Sequence, residues 1–216
     1  MGNNHVESSR IETAKDRSAI ATEESRREIN SMTLLVDAQN LFYSARDTYG
    51  PSARVNYERL KEVALRGKNV RVLRCVIYLT QLEDDISLFA QTLRRLSYEV
   101  KIRWIKRHED GSISNTDSDL DIAVDCIRAC ETSDTLVIAS GDADFIPVYQ
   151  YIREKGKDIE ILAFQDALNR QIKENVDKVT ILDEYCIFRK RPQENGAKQA
   201  ANAGIDPEKT PEKARK

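Results

Sequence analysis

Histidine and cysteine are scarce in this chain. Its 216 residues include two histidines, His5 and His108, and four cysteines, Cys75, Cys126, Cys130 and Cys186. Cys126 and Cys130 lie four apart on an expected helix, but neither histidine stands at zinc-site spacing. The cysteines therefore read as ordinary reduced, partly buried thiols of a cytosolic protein. Long apolar runs are also missing. No stretch approaches the roughly 20 residues that cross a bilayer. The polar start MGNNHVESSR has no signal-peptide core, and its Val6 stands where the myristoylation pattern wants Ser or Thr. Net charge is nearly absent as well: 34 basic against 36 acidic residues leave −2. No overall field draws the chain to nucleic acid or membrane, so any such attraction must be local. No internal repeat is found.

What is present is a composition of 40% apolar and 32% charged residues, that of a globular protein with a highly charged surface. The length suits one full domain plus tails. Residues 1–30 are polar, with isolated apolar positions that build no stripe, and read as a flexible arm. Residues 189–216 hold one large aliphatic residue, Ile205, and an excess of Lys and Arg, and read as a disordered basic tail.

Residues 31–188 between them alternate strand and helix. Strands are expected at Met32–Val36, Val70–Thr80, Tyr98–Lys106, Thr135–Ala139, Asp158–Ala163 and Val179–Leu182. Helices are expected at Asn56–Arg66, Ile86–Leu96, Leu120–Cys130, Phe145–Glu154 and Ala167–Asn175. Six strands separated by helices predict a three-layer α/β sandwich around a mostly parallel sheet. Sites in such sheets form beyond the carboxyl ends of the strands, where the strand order reverses.

Acids stand at those ends. The first strand runs into VDAQN, with Asp37 where it stops and Asn40 three residues on. The Thr135 strand runs into SGDADF, with Asp142 and Asp144 beside Gly141, read as the glycine of a sharp turn. If the two strands are neighbours, these carboxylates converge. A third source is the helix start NTDSDLDIAVD. A helical projection places Leu120, Ala123, Cys126, Ile127 and Cys130 on the buried face with Asp119 at its N-terminal end. Asp121 and Asp125 fall opposite, and Asp117 is the expected N-cap. Crowded carboxylates repel unless cations compensate, and oxygen-only ligands suit Mg²⁺ or Mn²⁺. The chemistry indicated is phosphodiester hydrolysis. The plainer reading stays open: Asp144 before Phe145 is also where a helix N-cap would stand, and Asp117, Asp121 and Asp125 would serve as a solvated helix face.

These motifs together resemble the NYN family of PIN-like nucleases, including its LabA-like bacterial branch. The likeness spans about residues 32–183. It rests on Asp37 and Asn40, on Asp117, Asp119 and Asp125, and on Ser140, Gly141, Asp142, Asp144, Phe145 and Pro147. Ala38 stands where that family often has glycine, and Asp121 adds an acid at a position usually small or apolar. The resemblance implies a PIN-like Rossmannoid fold and an acidic metal site acting on RNA. The expected assignment is then a metal-dependent ribonuclease of the cytoplasm. Asp37, Asp119, Asp142 and Asp144 are its ligands for Mg²⁺ or Mn²⁺, and Asn40 orients the Asp37 carboxylate. Ser140, Asp117, Asp121 and Asp125 are supporting positions. Phe145 is expected to pack the following helix on the sheet and Pro147 to sit in its first turn.

Basic residues Arg103, Lys106 and Arg107 around Trp104 are candidate contacts for RNA, single-stranded or in structured loops, although alternation in YEVKIRWIK also fits a solvated strand face. No membrane partner is expected, and self-association is left open. The rival is a noncatalytic RNA-binding or regulatory module. Toprim-like and haloacid dehalogenase-like phosphotransfer folds are disfavoured, since they want Glu at position 37 or D-x-D where this chain has D-A-Q.

Overall fold

The computed structural model describes residues 29–82, 88–105 and 118–189. All six expected strands form one sheet: β1 (Ser31–Asp37), β3 (Arg71–Leu82), β4 (Glu99–Ile105), β5 (Thr135–Ala139), β6 (Asp158–Phe164) and β7 (Lys178–Leu182). Their order is β4-β3-β1-β5-β6-β7 and every pairing is parallel. The order reverses at β1, which is buried along its whole length because it has a neighbour on each side and helices on both faces. Helices α1 (Ala38–Tyr49), α2 (Tyr57–Leu65) and α3 (Leu88–Arg95) cover one face. Helices α4 (Asp119–Ala129), α5 (Ile146–Glu154) and the single turn α6 (Ile172–Asn175) cover the other. Alternate residues of β1 divide between the two cores: Leu34 and Val36 join Leu41 and Leu60, while Leu35 joins Ile122 and Tyr149.

Three elements escaped the sequence reading. Helix α1 was not expected, although Leu41, Ser44 and Ala45 line its buried side at helical spacing. Strands β2 (Ala53–Val55) and β8 (Ile187–Arg189) make a small antiparallel ribbon. Three residues each are too few for a periodic signal. The ribbon also carries the fold to Arg189, one residue into the expected tail.

Two expectations are corrected. The helix foreseen at Ala167–Asn175 shrinks to α6 after a 3₁₀ turn at Gln165–Ala167, because Leu168 is extended and the Asn169 side chain accepts the Gln171 N–H. The buried face of α4 is Ile122, Asp125, Cys126 and Ala129, while Leu120 and Ile127 are exposed. Asp125 therefore lies inside, not on a solvated face. The projection was rotated because it took every apolar residue as inward. Asp119 still shares the inward side, three and seven residues before Ile122 and Cys126. All four cysteines are buried free thiols. Among the described residues no helix is long and apolar enough to cross a membrane.

Candidate active site

Asp37 ends β1 at the strand-order reversal, and Ser140 follows β5 beside it. Asp37 is also the N-cap of α1: its Oδ1 accepts the Asn40 backbone N–H at 3.0 Å. Its Oδ2 accepts the Ser140 hydroxyl at 3.2 Å, and that hydroxyl oxygen accepts the Asp142 N–H at 3.3 Å. The Asn40 side-chain carbonyl accepts the Gly141 N–H at 3.0 Å. Two sequence-distant loops are thus tied by polar bonds that hold Asp37 and Asp142 together. Asn40 does orient Asp37, but through its backbone, while its side chain fastens the opposite loop.

Gly141, expected as the glycine of a sharp turn, has no positive φ that would demand glycine. The requirement is space. A Cβ at this position would lie 2.5 Å from the Ala167 carbonyl oxygen, which leaves glycine as the residue that admits this approach.

Both acids of SGDADF were expected as ligands, with Asp144 also open to a capping role; the cap is Asp142. Asp142, half-buried, caps the 3₁₀ turn Ala143–Phe145 by accepting the Asp144 N–H at 2.9 Å, while Asp144 is exposed. Phe145 is buried against Tyr149, and Pro147 stands in the first turn of α5, both as expected.

Asp119 opens α4. The helix N-cap is Ser118 rather than Asp117, and its hydroxyl lies 3.4 Å from that of Thr80 near the end of β3. This brings the start of α4 to the same rim of the sheet, on the β3 side of Asp37, with Asp142 on the β5 side. Asp117, Lys106 and Arg107 lie outside the described residues.

Asp37 is 6% exposed, and burial pushes its carboxyl above the ordinary range. The N–H of Asn40 and the Ser140 hydroxyl oppose that rise, and the negative charge of Asp142 adds to it. Beneath the pair lies Tyr149, fully buried, whose hydroxyl has no partner among the described protein groups. Burial raises its pKa, and Cys126, Asp142 and Asp37 are near enough to raise it further. Tyr149 was not singled out from sequence; its spacing of four from Phe145 on a helix leaving SGDADF was the available signal.

The remaining supporting residues stand apart. Asp125 is 2% exposed and accepts the Tyr78 hydroxyl while pairing with Lys101 and, at 3.7 Å, with Arg128. Burial alone would raise its pKa, but Lys101 and Tyr78 outweigh burial and hold it low. Asp121 is exposed and pairs with Arg103 at 3.2 Å, so the guanidinium considered for RNA is engaged by α4, while Trp104 remains 40% exposed. A cavity of about 330 Å³ between Lys68, Glu160 and Lys178 lies near the starts of β5, β6 and β7, at the opposite end of the sheet; its Glu160 is paired with both lysines.

Among the described residues, no three His, Cys, Asp or Glu side chains gather as a ready-made metal cage. Asp37 and Asp142 still fit a hard cation, since Mg²⁺ is commonly held by one or two carboxylates, with waters and substrate phosphates completing the shell. A buried acid repelled by its neighbour is the environment such a cation relieves.

Known proteins resemble this chain in sequence and in fold. The Low amplitude and bright protein LabA of Synechococcus elongatus is 23% identical over 167 residues, covering 73% of this chain and 86% of that protein. The crystal structure of a protein of unknown function from Vibrio parahaemolyticus superposes with a TM-score of 0.64 at 20% identity, covering 75% of this chain and 98% of that one. That likeness shows a shared α/β fold. The model of the NYN domain, a nuclease-like family, matches residues 31–183. That span holds the whole six-stranded sheet and every described acid of the rim, and the chain belongs to the NYN domain family.

Proposed function

We propose that this NYN domain is a cytoplasmic, divalent-metal-dependent ribonuclease that hydrolyses RNA phosphodiester bonds at the Asp37–Asp142 rim. The observation that carries the reading is the position of Asp37: buried, at the strand-order reversal, and repelled by Asp142 with no basic side chain paired to it among the described residues. Bound Mg²⁺ or Mn²⁺ would supply charge stabilisation for the phosphodiester and its departing oxygen. Asp37 and Asp142 would hold it, with Asp119 and Asp144 as the further acids of the rim. The protein's own part is to fix these residues: Ser140 donates to the Asp37 carboxylate and accepts the Asp142 backbone N–H, and Asn40 locks the β5 loop to the β1 loop.

A noncatalytic RNA-binding module is the second reading. It is favoured by the caps, since both Asp37 oxygens and one Asp142 oxygen already serve the local backbone or Ser140. Two measurements separate the readings. Mixed RNA and DNA substrates are incubated with Mg²⁺ or Mn²⁺ and wild type or Asp142→Asn, and melting is followed with and without Mn²⁺. The ribonuclease reading expects metal-dependent RNA cleavage that Asp142→Asn removes, and a Mn²⁺-raised Tm in wild type. Equal degradation by both proteins would place the activity elsewhere. RNA binding with neither turnover nor a Mn²⁺ shift would leave the binding module.

A further inference from the structure

We infer that the exposed side of α1 and the adjoining β2–β8 ribbon form a docking surface for the phosphate backbone of single-stranded RNA, centred on Arg46 and Arg54. The inference rests on the reading that RNA is the ligand of the rim, and it names where the strand runs as it approaches.

The two guanidinium groups share one ring. The Arg46 carbon lies 5.2 Å and the Arg54 carbon 5.4 Å from the centre of Phe42, a half-buried residue of α1. Such contacts attract each cation to the ring, but they also bring two like charges together. Burial and the nearby charge of Arg46 both lower the pKa of Arg54. Neither arginine forms an ion pair with any described carboxylate. Asp47, adjacent in sequence, is exposed and pairs with neither. Lys68, Arg74, Lys101 and Arg103, by contrast, pair with Glu160, Glu99, Asp125 and Asp121. An uncompensated pair of braced guanidinium groups is a site for an anion, and their planar forks suit phosphate oxygens.

The surroundings fit a polynucleotide better than a free phosphate. One edge of Arg54 is fixed by donation from Nη1 to the carbonyls of Pro51 and Ala53, at 2.9 and 2.7 Å. Across the ribbon its register partner is Phe188, 49% exposed, and Tyr43 stands edge-on to Phe42. Aromatic rings beside phosphate-binding cations are what unstacked bases use. The stripe also leads to the rim. Gln39, Phe42 with Tyr43, and Arg46 recur at three- to four-residue spacing outside the buried side of α1, which Asp37 caps. Arg46 is about 13 Å along the helix axis from Asp37.

The test uses the full chain and a short fluorescein-labelled oligouridylate in EDTA, with anisotropy read across a salt series. The Arg46→Gln/Arg54→Gln variant is expected to bind about tenfold more weakly, with a salt slope shallower by about 1.4, since each single-strand phosphate contact contributes about 0.7. Arg46→Lys/Arg54→Lys should keep most of the slope. If the double glutamine variant melts below wild type, Arg46→Gln alone decides, with an expected slope change of about 0.7. Unchanged affinity and slope in a folded variant, or no binding by wild type, overturns the surface. Cleavage with Mn²⁺ is measured on the same proteins. Binding lost in the variant without any wild-type cleavage removes the ribonuclease reading and keeps the surface. Wild-type cleavage with an unchanged KM in the variant does the reverse.

Discussion

Asp37 and Asp125 are both buried carboxylates within NYN-type motifs, at 6% and 2% exposure, yet their surroundings push them in opposite directions. Asp125 sits between α4 and the outer strands with Lys101, Arg128 and the Tyr78 hydroxyl around it, and its charge is met. Asp37 has hydrogen bonds but no basic partner among the described residues, and the charge acting on it is that of another acid, Asp142. Burial penalises ionisation in both places, so the difference lies in what compensates it. The compensated acid joins helix to sheet, whereas the uncompensated one remains available to an added cation.

The sharpest way to break this comparison is to neutralise each acid in turn. Asp37→Asn is expected to reduce metal-dependent RNA cleavage by about 100-fold or more, the scale on which a lost transition-state charge contact acts. The same change should raise Tm at neutral pH. The folded pKa of Asp37 lies above its unfolded value near 3.8, so ionising it opposes folding, and Asn still caps α1. The gain should be fully present above the folded pKa and vanish as pH falls below about 3.8. A melt series that instead shows Asp37→Asn destabilised at pH 7 would mean that its charge is already met.

Asp125→Ala should do the opposite. It strands the Tyr78 hydroxyl and the ammonium of Lys101, which is about a third exposed, so the loss of stability should be about 1–3 kcal/mol in denaturant titration. Because its folded pKa is lowered, the stability due to Asp125 is present above about 3.8 and is lost as pH falls through the folded value. The pH profiles of the two variants should therefore diverge in sign.

Gly141→Ala tests the geometry rather than the charge. Its methyl meets backbone at 2.5 Å, so the loop must shift; about 1–2 kcal/mol should be lost along with the Asn40–Gly141 bond. Wild-type stability and cleavage in this variant would show that the two loops need not be tied closely. The smallest effect is expected for Tyr149→Phe. A hydroxyl without a partner should be removed at no cost, or with a gain below about 1 kcal/mol. A measured loss, together with a weakened Mn²⁺-induced Tm rise, would show that the hydroxyl holds a water beneath the acid pair.

Much of this was legible one residue at a time. The apolar run of β1 followed by Asp37, and that of β5 followed by SGDADF, announced strand ends because buried parallel strands leave no polar alternation to confuse them. What misled was local. The helix projection counted Leu120 and Ile127 as inward and Asp125 as outward, since periodicity cannot foresee that Tyr78 and Lys101 arrive from two other strands to receive a carboxylate. A cap in SGDADF was considered at Asp144, whereas the backbone turns two residues earlier and uses Asp142. Arg103 and Trp104 attracted notice as a basic-aromatic pair, yet Arg103 is engaged by Asp121. Arg46 and Arg54, which share the Phe42 ring, lie in a helix and a three-residue strand that periodicity does not reveal.

By itself the sequence determined the class of sheet, the residues that end its strands and the kind of atom they present there, because strand burial and turn chemistry are written in neighbouring residues. Only the tertiary structure decided which carboxylates keep company with cations and which do not. Compensation depends on side chains brought from distant elements: Ser140 reaches Asp37 across 103 positions, while Lys101 reaches Asp125 across 24. No local pattern carries that pairing, and at these two buried acids it separates a strut from a candidate site.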